Sequence, residues 1–472
     1  MSNTRRAFLT GAGALSAASL AGIGGSLSAF KARAADTGGY KALVCVFLLG
    51  GLDNYDTILP YDQGSYDSFA NVRGPLLSQY NGIQGGSTRA RDRLLPLNPS
   101  NASQFGGRQF ALPEELSGIK NLFDSQEAAI VGNVGPLVRP LNRQQFENET
   151  VEQPKRLFSH NDQQATWMSS RPEGAQFGWG GRFADAALNS GANGGSRDFT
   201  AITSLGNELY LTGQETQPYQ IGLNGAPAID ALGFFNDGRN TSDGETRYRL
   251  LREHFEALQF NSPNLIERDI ANAMRTALST NETFNSALQT LQPFSTSFGD
   301  SFLGKQLRAV ANTIAIRDAL TVNRQVFFVA IGGFDTHSGQ IGTLPRLQRE
   351  IDESVVGFHQ AMQELGLGND VTLFTASDFG RTMSVNGDGT DHGWGGHHFV
   401  VGGAVQGGQI YGDIPPYELG HDLDAGNGRL IPTTSVEQFA EPLGRWFGLG
   451  DAEIASALPN LSNFGGAGLS FV

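Results

Sequence analysis

Four stretches of the chain are predominantly apolar and rich in β-branched side chains. They cover residues 41–49, 128–134, 326–331 and 371–375. Runs of this length without regular polar alternation are typical of strands buried on both faces of a parallel sheet. Apolar residues at helical spacing over residues 344–365 predict a crossover helix between the third and fourth runs. The pattern therefore predicts a three-layer α/β fold, with helices on both faces of a mainly parallel central sheet.

An aspartate follows three of these predicted strands within a few residues. The three are Asp53, Asp335 and Asp378. In open α/β sheets ligands bind outside the carboxyl ends of the strands, where distant segments of the chain meet. Aspartate is also common after strands because it suits turns and helix N-caps. Recurrence at three strands favours the first interpretation, and we expect the three carboxylates to converge.

Histidines are concentrated in two short glycine-rich segments near the third and fourth predicted strands. They are His337 in the segment 332–337, and His392, His397 and His398 in the segment 390–398. Neutral imidazole combined with carboxylate is a ligand set for zinc, manganese or iron. The two segments therefore predict a site for divalent metal, at which the sequence does not distinguish zinc, manganese and calcium.

A separate polar segment, residues 156–167, predicts a helix that begins at Ser159. The serine is suited to cap this helix, with Asp162 three residues further on. A hydroxyl at a helix N-terminus is also placed to act as a nucleophile near an anion. Both roles of Ser159 stay open at this point.

The N-terminus has the pattern of a twin-arginine signal peptide. Arg5 and Arg6 precede a weakly apolar stretch over residues 11–30, and small residues follow as far as Ala34. A membrane anchor is the alternative, although the stretch is rich in Gly and Ser. We therefore expect residues 1–34 to be removed, and the mature protein to be periplasmic or secreted.

Composition narrows the classes of partner. The 472-residue chain has a formal net charge of −14, which argues against nucleic acid or an anionic membrane as partner. Cys45 is the only cysteine, so an internal disulfide is excluded. The length allows one large domain, and we expect residues 35–472 to form it, with an insertion at about 189–299.

The chain resembles the bacterial family of uncharacterised domains numbered 1501, which is grouped with the alkaline phosphatase-like superfamily. The resemblance covers nearly all of the mature chain. It is carried by LVCVFLLGGLDNYDT (43–57), LFSHNDQQATW (157–167), GGFDTH (332–337), SDFGRT (377–382), TDHGWGGHHFVVGGAVQGGQIYGD (390–413) and GRLIPTTSVEQFAEPLGRWFG (428–448).

The superfamily pattern implies roles for single residues. It implies a hydroxyl nucleophile at Ser159, and metal ligands at Asp53, Asp335, His337, Asp378, His392 and His397. The chain departs from the pattern at Phe379, where hydrolases with two metals commonly have His. One of the two metal sites is therefore either rebuilt with His392 or absent.

The resemblance implies that the protein hydrolyses phosphate or sulfate esters, on a small molecule or a polysaccharide. Arg381 would then hold an ester oxygen, or alternatively form a surface ion pair. A non-catalytic binding protein on the same fold is a second hypothesis, and it leaves a protein partner open. A metal-dependent oxidoreductase is a third, although the chain has neither a dinucleotide fingerprint nor cluster-forming cysteines.

Overall fold

The computed structural model describes residues 34–83, 86–171, 174–194, 197–206, 208–226, 246, 247, 249, 250, 253, 264–465 and 468–472. The predicted signal peptide lies outside these residues except for Ala34. Residues 34–472 group into one unit by their contacts. No helix within the described part has the length and apolar character needed to cross a membrane.

The strands are numbered in chain order. They are β1 (Lys41–Leu48), β2 (Leu59–Pro60), β3 (Leu95–Pro96), β4 (Phe110–Leu112), β5 (Ala128–Gly135), β6 (Ala201–Thr203), β7 (Tyr219–Gln220), β8 (Arg324–Ile331), β9 (Val371–Ser377), β10 (Arg381–Asn386), β11 (Gly389–His392), β12 (Gly396–Val401), β13 (Ile410–Gly412) and β14 (Thr434–Ser435). The four predicted strands correspond to β1, β5, β8 and β9, which confirms them.

Nine of the strands in the described residues form the main sheet. Eight of them follow the order β13-β5-β12-β9-β1-β8-β6-β7, and β14 also pairs with β5. The pairings are parallel except for those of β12, which is antiparallel to both β5 and β9. Strands β2 to β4 form a small antiparallel sheet, and β10 with β11 forms a hairpin. The predicted mainly parallel sheet is thus confirmed, with one antiparallel strand between β5 and β9.

The α-helices of the described residues are numbered in the same way. They are α1 (Gln63–Gly82), α2 (Ser117–Asp124), α3 (Arg143–Glu147), α4 (His160–Ser169), α5 (Trp179–Asn189), α6 (Leu265–Leu288), α7 (Phe302–Ala315), α8 (Arg317–Leu320), α9 (Gln340–Glu364), α10 (Val436–Phe447) and α11 (Asp451–Ala457). Helix α9 joins β8 to β9 and is the predicted crossover helix.

Alternate side chains of β1 enter two separate apolar cores. Val44 and Val46 belong to the core that includes side chains of α7 and α9. Cys45 and Phe47 belong to the core that includes side chains of α5 and α10. Successive residues of a strand point to opposite faces, so helices must cover both faces of the sheet. The three-layer α/β fold is confirmed, and Cys45 is a buried residue of its core.

Candidate metal centre

The carboxyl ends of three neighbouring central strands lie at one edge of the sheet. Leu48 at the end of β1 is in register with Ile331 of β8 on one side and with Ser377 of β9 on the other. The segments after β8 and β9 bring Asp335 and Asp378 to this edge. Two of the three carboxylates expected to converge, those of Asp335 and Asp378, thus lie on either side of His160, and the side chains around them form the site.

Four donor atoms from three segments converge at this edge. The Nε2 atom of His392 lies 3.1 Å from Nε2 of His160 and 2.9 Å from Nε2 of His337. The Asp335 Oδ1 atom lies 3.2 Å from Nε2 of His392 and 3.1 Å from Nε2 of His337. His160, Asp335 and His392 are one group whose donor atoms are all close enough to bind one ion.

The other ring nitrogen of each imidazole faces an acceptor. Nδ1 of His160 lies 2.6 Å from Oδ2 of Asp378, and Nδ1 of His337 lies 3.2 Å from Oδ1 of Asp391. Nδ1 of His392 lies 2.8 Å from the carbonyl oxygen of Phe158. Because neither a carboxylate nor a carbonyl donates, each neutral ring must carry its proton on Nδ1. The Nε2 lone pair of His392 then faces those of His160 and His337, and a cation or an added proton would offset the repulsion.

Asp378 is the buried support of His160. Its carboxylate is inaccessible, and Oδ2 accepts hydrogen bonds from the Gln164 side chain at 2.9 Å and the Gly50 amide at 3.2 Å, as well as facing His160. The hydrogen bond with Asp378 raises the pKa of His160, whereas burial lowers the pKa of His392. A carboxylate behind a histidine fixes the ring orientation and its tautomer, as is usual behind metal ligands.

Arg381 is a buried ion-pair partner of Asp335. Its guanidinium is inaccessible to solvent and donates to Asp335 Oδ1 at 2.7 Å and to the Gly50 carbonyl at 3.0 Å. Against the opposing effect of burial, Arg381 keeps the pKa of Asp335 below its usual value. Arg381 therefore orients a carboxylate and does not face the solvent as a substrate clamp would.

The structure places Asp53 in a buried ion pair and not among the converging donors. Arg73 donates to both oxygens of Asp53, at 2.7 and 3.0 Å, and Gln340 donates to Oδ2 at 2.6 Å. Gln340 also accepts from the Thr390 hydroxyl, which in turn accepts from Arg381. Asp53 thus anchors a chain of hydrogen bonds that ends at Arg381, while Arg73 supplies its counter-charge.

Phe379 forms an apolar floor under two of the imidazoles. Its ring centroid lies 4.8 Å from the ring centroids of both His160 and His392. Gly51 has a φ of +89°, and a Cβ atom there would lie 2.5 Å from the Phe379 ring. Only glycine allows this approach, so Gly51 is needed for Phe379 to lie under the two imidazoles.

Ser159 is the N-cap residue of α4, and its hydroxyl is directed at Asp162. The hydroxyl donates to Oδ2 of Asp162 at 2.9 Å. No side-chain hydrogen bond to the helix backbone is formed at this cap. The side chain that α4 presents to the converging donors is instead His160, the first residue of the helix.

His397 and His398 lie on β12 and not at the strand-end cluster. Nδ1 of His397 accepts a hydrogen bond from the Asn133 amide of the neighbouring strand β5. His398 packs against Trp167 at a ring distance of 5.3 Å. Burial lowers the pKa of each imidazole to about 3, so both rings are neutral side chains of the interior.

The structure therefore brings together Asp335, His337 and His392 of the residues predicted as ligands, with Asp378 directly behind. It does not bring Asp53 or His397 into this group. His160 was not predicted from the sequence, because the adjacent Ser159 carries both the capping signal and the hydroxyl of this segment. A histidine next to the predicted start of a helix, in the segment LFSHNDQQATW, was the available signal.

The donor set fits a transition metal better than calcium. Three imidazole nitrogens and one carboxylate oxygen are ligands that suit zinc, manganese or iron. Calcium prefers a shell made of oxygen atoms. His337 and Asp335 have side chains that are each 44% exposed, so this cluster is open to solvent on one side.

Comparison with solved structures gave matches of low similarity. A structure of Ps i-CgsB in complex with k-i-k-neocarrahexaose has a TM-score of 0.36 and 10% identity, and the match covers 90% of this chain and 77% of that chain. A second structure of Ps i-CgsB has a TM-score of 0.34 and 8% identity, with coverages of 90% and 77%. A Bacteroides thetaiotaomicron structure, from work on the metabolism of multiple glycosaminoglycans, has a TM-score of 0.30 and 10% identity, with coverages of 86% and 73%. Similarity at this level does not indicate a shared activity.

Comparison with curated proteins gave no significant match. Comparison with protein-family models gave a match that spans nearly the whole of the unit formed by residues 34–472. The match extends over residues 40–458. The chain therefore belongs to the family described as protein of unknown function (DUF1501).

Proposed function

We propose that this protein is an exported, metal-dependent hydrolase of phosphate or sulfate esters. The metal ligands would be the Nε2 atoms of His160, His337 and His392 and the carboxylate of Asp335. The observation that carries the proposal is the convergence of three Nε2 atoms while all three Nδ1 atoms face acceptors. Imidazoles arranged in this way are typical of metal ligands with their supporting hydrogen bonds.

A divalent ion in this position would polarise an ester oxygen and lower the pKa of a bound water. The protein's own residues hold the arrangement in place. Asp378 orients His160, and Arg381 orients Asp335 and offsets part of its charge. The exposed sides of His337 and Asp335 leave room for a substrate to approach from solvent.

Water is the better candidate for the nucleophile. The Ser159 hydroxyl is engaged with Asp162 and does not contact the converging donors. Thr57, another hydroxyl near the strand ends, donates to the backbone carbonyl of Asp53 and is buried. Neither side chain is placed for a covalent step, whereas hydrolysis by activated water needs no protein nucleophile.

We propose a phosphate or sulfate ester as the substrate because of the family resemblance. Arg429 is a half-buried cation beside the centre, and its Nε donates to the backbone carbonyl of His392 at 2.9 Å. Its positive charge is compatible with an anionic ester at this edge. We propose export because the N-terminal segment has the paired arginines of a twin-arginine signal.

Elemental analysis of protein recovered from the periplasm tests the metal centre first. We expect about one transition-metal ion per chain, and turnover of aryl phosphate or aryl sulfate that stops with a chelator and returns with metal. His160→Ala and His392→Ala should each lose the metal. His359→Ala is a matched control, since this buried histidine contacts Glu127 and Gln363 and lies outside the centre. Wild-type protein that takes up no metal would refute the proposal.

A mononuclear redox centre is the second candidate. Three imidazoles with one carboxylate also suit iron, and no hydroxyl nucleophile lies at the cluster among the described residues. Purified protein with visible absorbance and an electron paramagnetic resonance signal, but no esterase activity, would favour this candidate over hydrolysis.

A further inference from the structure

The segment that leads into α4 has an unusual backbone. Arg156 and Phe158 both have positive φ angles, +53° and +70°. Such angles are uncommon for residues other than glycine, and a bulky side chain such as Phe adopts them at a cost in conformational energy. The Ser159 amide donates to the carbonyl of Arg156, so the chain makes a tight turn immediately before His160. Surrounding contacts must hold this turn in place.

The turn directs the carbonyl group of Phe158 at the metal centre. The oxygen lies 2.8 Å from Nδ1 of His392, and it is the acceptor that leaves the Nε2 lone pair of this ring for a metal. The same short segment therefore places His160, which follows the turn, and orients His392 through the carbonyl oxygen of Phe158. Loss of the Phe158 conformation would free the His392 ring to rotate or to change tautomer.

Arg429 packs against the same turn and also contacts His392. Its guanidinium carbon lies 4.9 Å from the centroid of the Phe158 ring, within the range of cation–π attraction. Its Nε atom donates to the backbone carbonyl of His392 at 2.9 Å, and Nη1 faces the Gly426 carbonyl at 3.3 Å. Arg429 thus contacts both partners of the Phe158–His392 hydrogen bond, one through its ring and the other through its backbone.

We propose that Phe158 and Arg429 are positioning residues of the metal centre, which act by fixing the orientation and tautomer of His392. The proposal rests on the metal-dependent function proposed above. Phe158 contributes its carbonyl oxygen through a strained backbone, and Arg429 contacts both the Phe158 ring and the backbone carbonyl of His392. A simple packing role for Phe158 would require only an apolar side chain of similar size.

Cobalt(II) binding by the full mature chain tests the proposal without any substrate. Affinity is measured by competition with a chelator, and the ligand field is read from the visible spectrum of the cobalt-loaded protein. Phe158→Leu keeps apolar volume but removes the aromatic face, and Arg429→Met removes the charge and the donors. We expect each to weaken cobalt affinity by about 10- to 100-fold, the usual effect of losing a supporting residue, and to alter the spectrum. Phe158→Tyr keeps the aromatic face and should retain wild-type affinity.

Arg143→Met is the matched control, because Arg143 is another partly exposed arginine and its ion pair with Glu147 lies within α3. Thermal unfolding of the metal-free variants separates local positioning from general destabilisation. Phe158→Leu and Arg429→Met proteins with wild-type affinity and spectrum would overturn the positioning roles and leave the metal centre standing. Wild-type protein that binds no cobalt would overturn both proposals together.

Discussion

The replacement Asp53→Asn separates a metal ligand from a partner in a buried ion pair. Both Asp53 and Arg73 are about 1% exposed, and Arg73 also donates to the carbonyl oxygens of Thr382 and Met383. Asparagine keeps the shape of the side chain but leaves the guanidinium without a counter-charge. Breaking a buried pair by removing one partner costs about 3–5 kcal/mol.

The expected loss of stability can be converted into a melting temperature. Unfolding entropy of about 2.1 cal/mol/K per residue gives about 0.9 kcal/mol/K for about 440 residues. A loss of about 4 kcal/mol then lowers the melting temperature by about 4 °C. Differential scanning calorimetry of the metal-free protein measures this shift, and elemental analysis should still find as much metal as in the wild type.

A double-mutant cycle with Arg73→Gln isolates the pair. We expect a coupling energy of about 2 kcal/mol, since the two side chains are in direct contact. The reasoning fails if Asp53→Asn releases the metal while the melting temperature of the metal-free protein is unchanged. Asp53 would then be a ligand, as the family resemblance implied.

Three further predictions concern acid stability, the cap of α4 and export. Burial keeps the pKa of His397 and His398 at about 3 when folded, against about 6.5 when unfolded, so the unfolded state binds more protons between these values. The contribution of the two histidines to the stability of metal-free protein is therefore full above pH 6.5 and falls by up to about 1.4 kcal/mol per histidine for each pH unit below it. Urea unfolding at pH 7.5 and pH 5.5 measures the change in the free energy of unfolding with pH. The same change in the His398→Leu variant as in the wild type would contradict the prediction. Ser159→Ala should retain most esterase activity and lose about 1 kcal/mol of stability with its hydrogen bond to Asp162, whereas abolished turnover in a folded variant would restore the serine as nucleophile. Arg5→Lys with Arg6→Lys should leave precursor in the cytoplasm on immunoblots of cell fractions, because the receptor reads the guanidinium pair, and normal periplasmic protein would show that the signal was misread.

Four strands of the main sheet and its mainly parallel character could be predicted from the chain, because both depend on local composition. Runs such as those of β1 and β8 are apolar on both faces, and such runs are stable only between two layers of helices. The aspartates after β8 and β9 could likewise be placed at one edge, because parallel strands end together. The antiparallel direction of β12 could not be read in this way, since a short apolar run has no directional signal.

The chain alone was enough to identify four strands of the main sheet, the crossover helix, several candidate metal ligands other than His160, and the family that the chain resembles. Tertiary structure alone decided which of those residues meet. His392 and His397 are five positions apart, yet one ends the β10–β11 hairpin at the strand-end cluster and the other enters the buried strand β12. Asp53 follows its strand as Asp378 does, but Arg73 reaches it from α1 and takes up its charge. Motifs record residue types and spacing along the chain. Metal coordination and ion pairing depend on distances of about 2–3 Å between atoms, which are fixed only when all the segments pack.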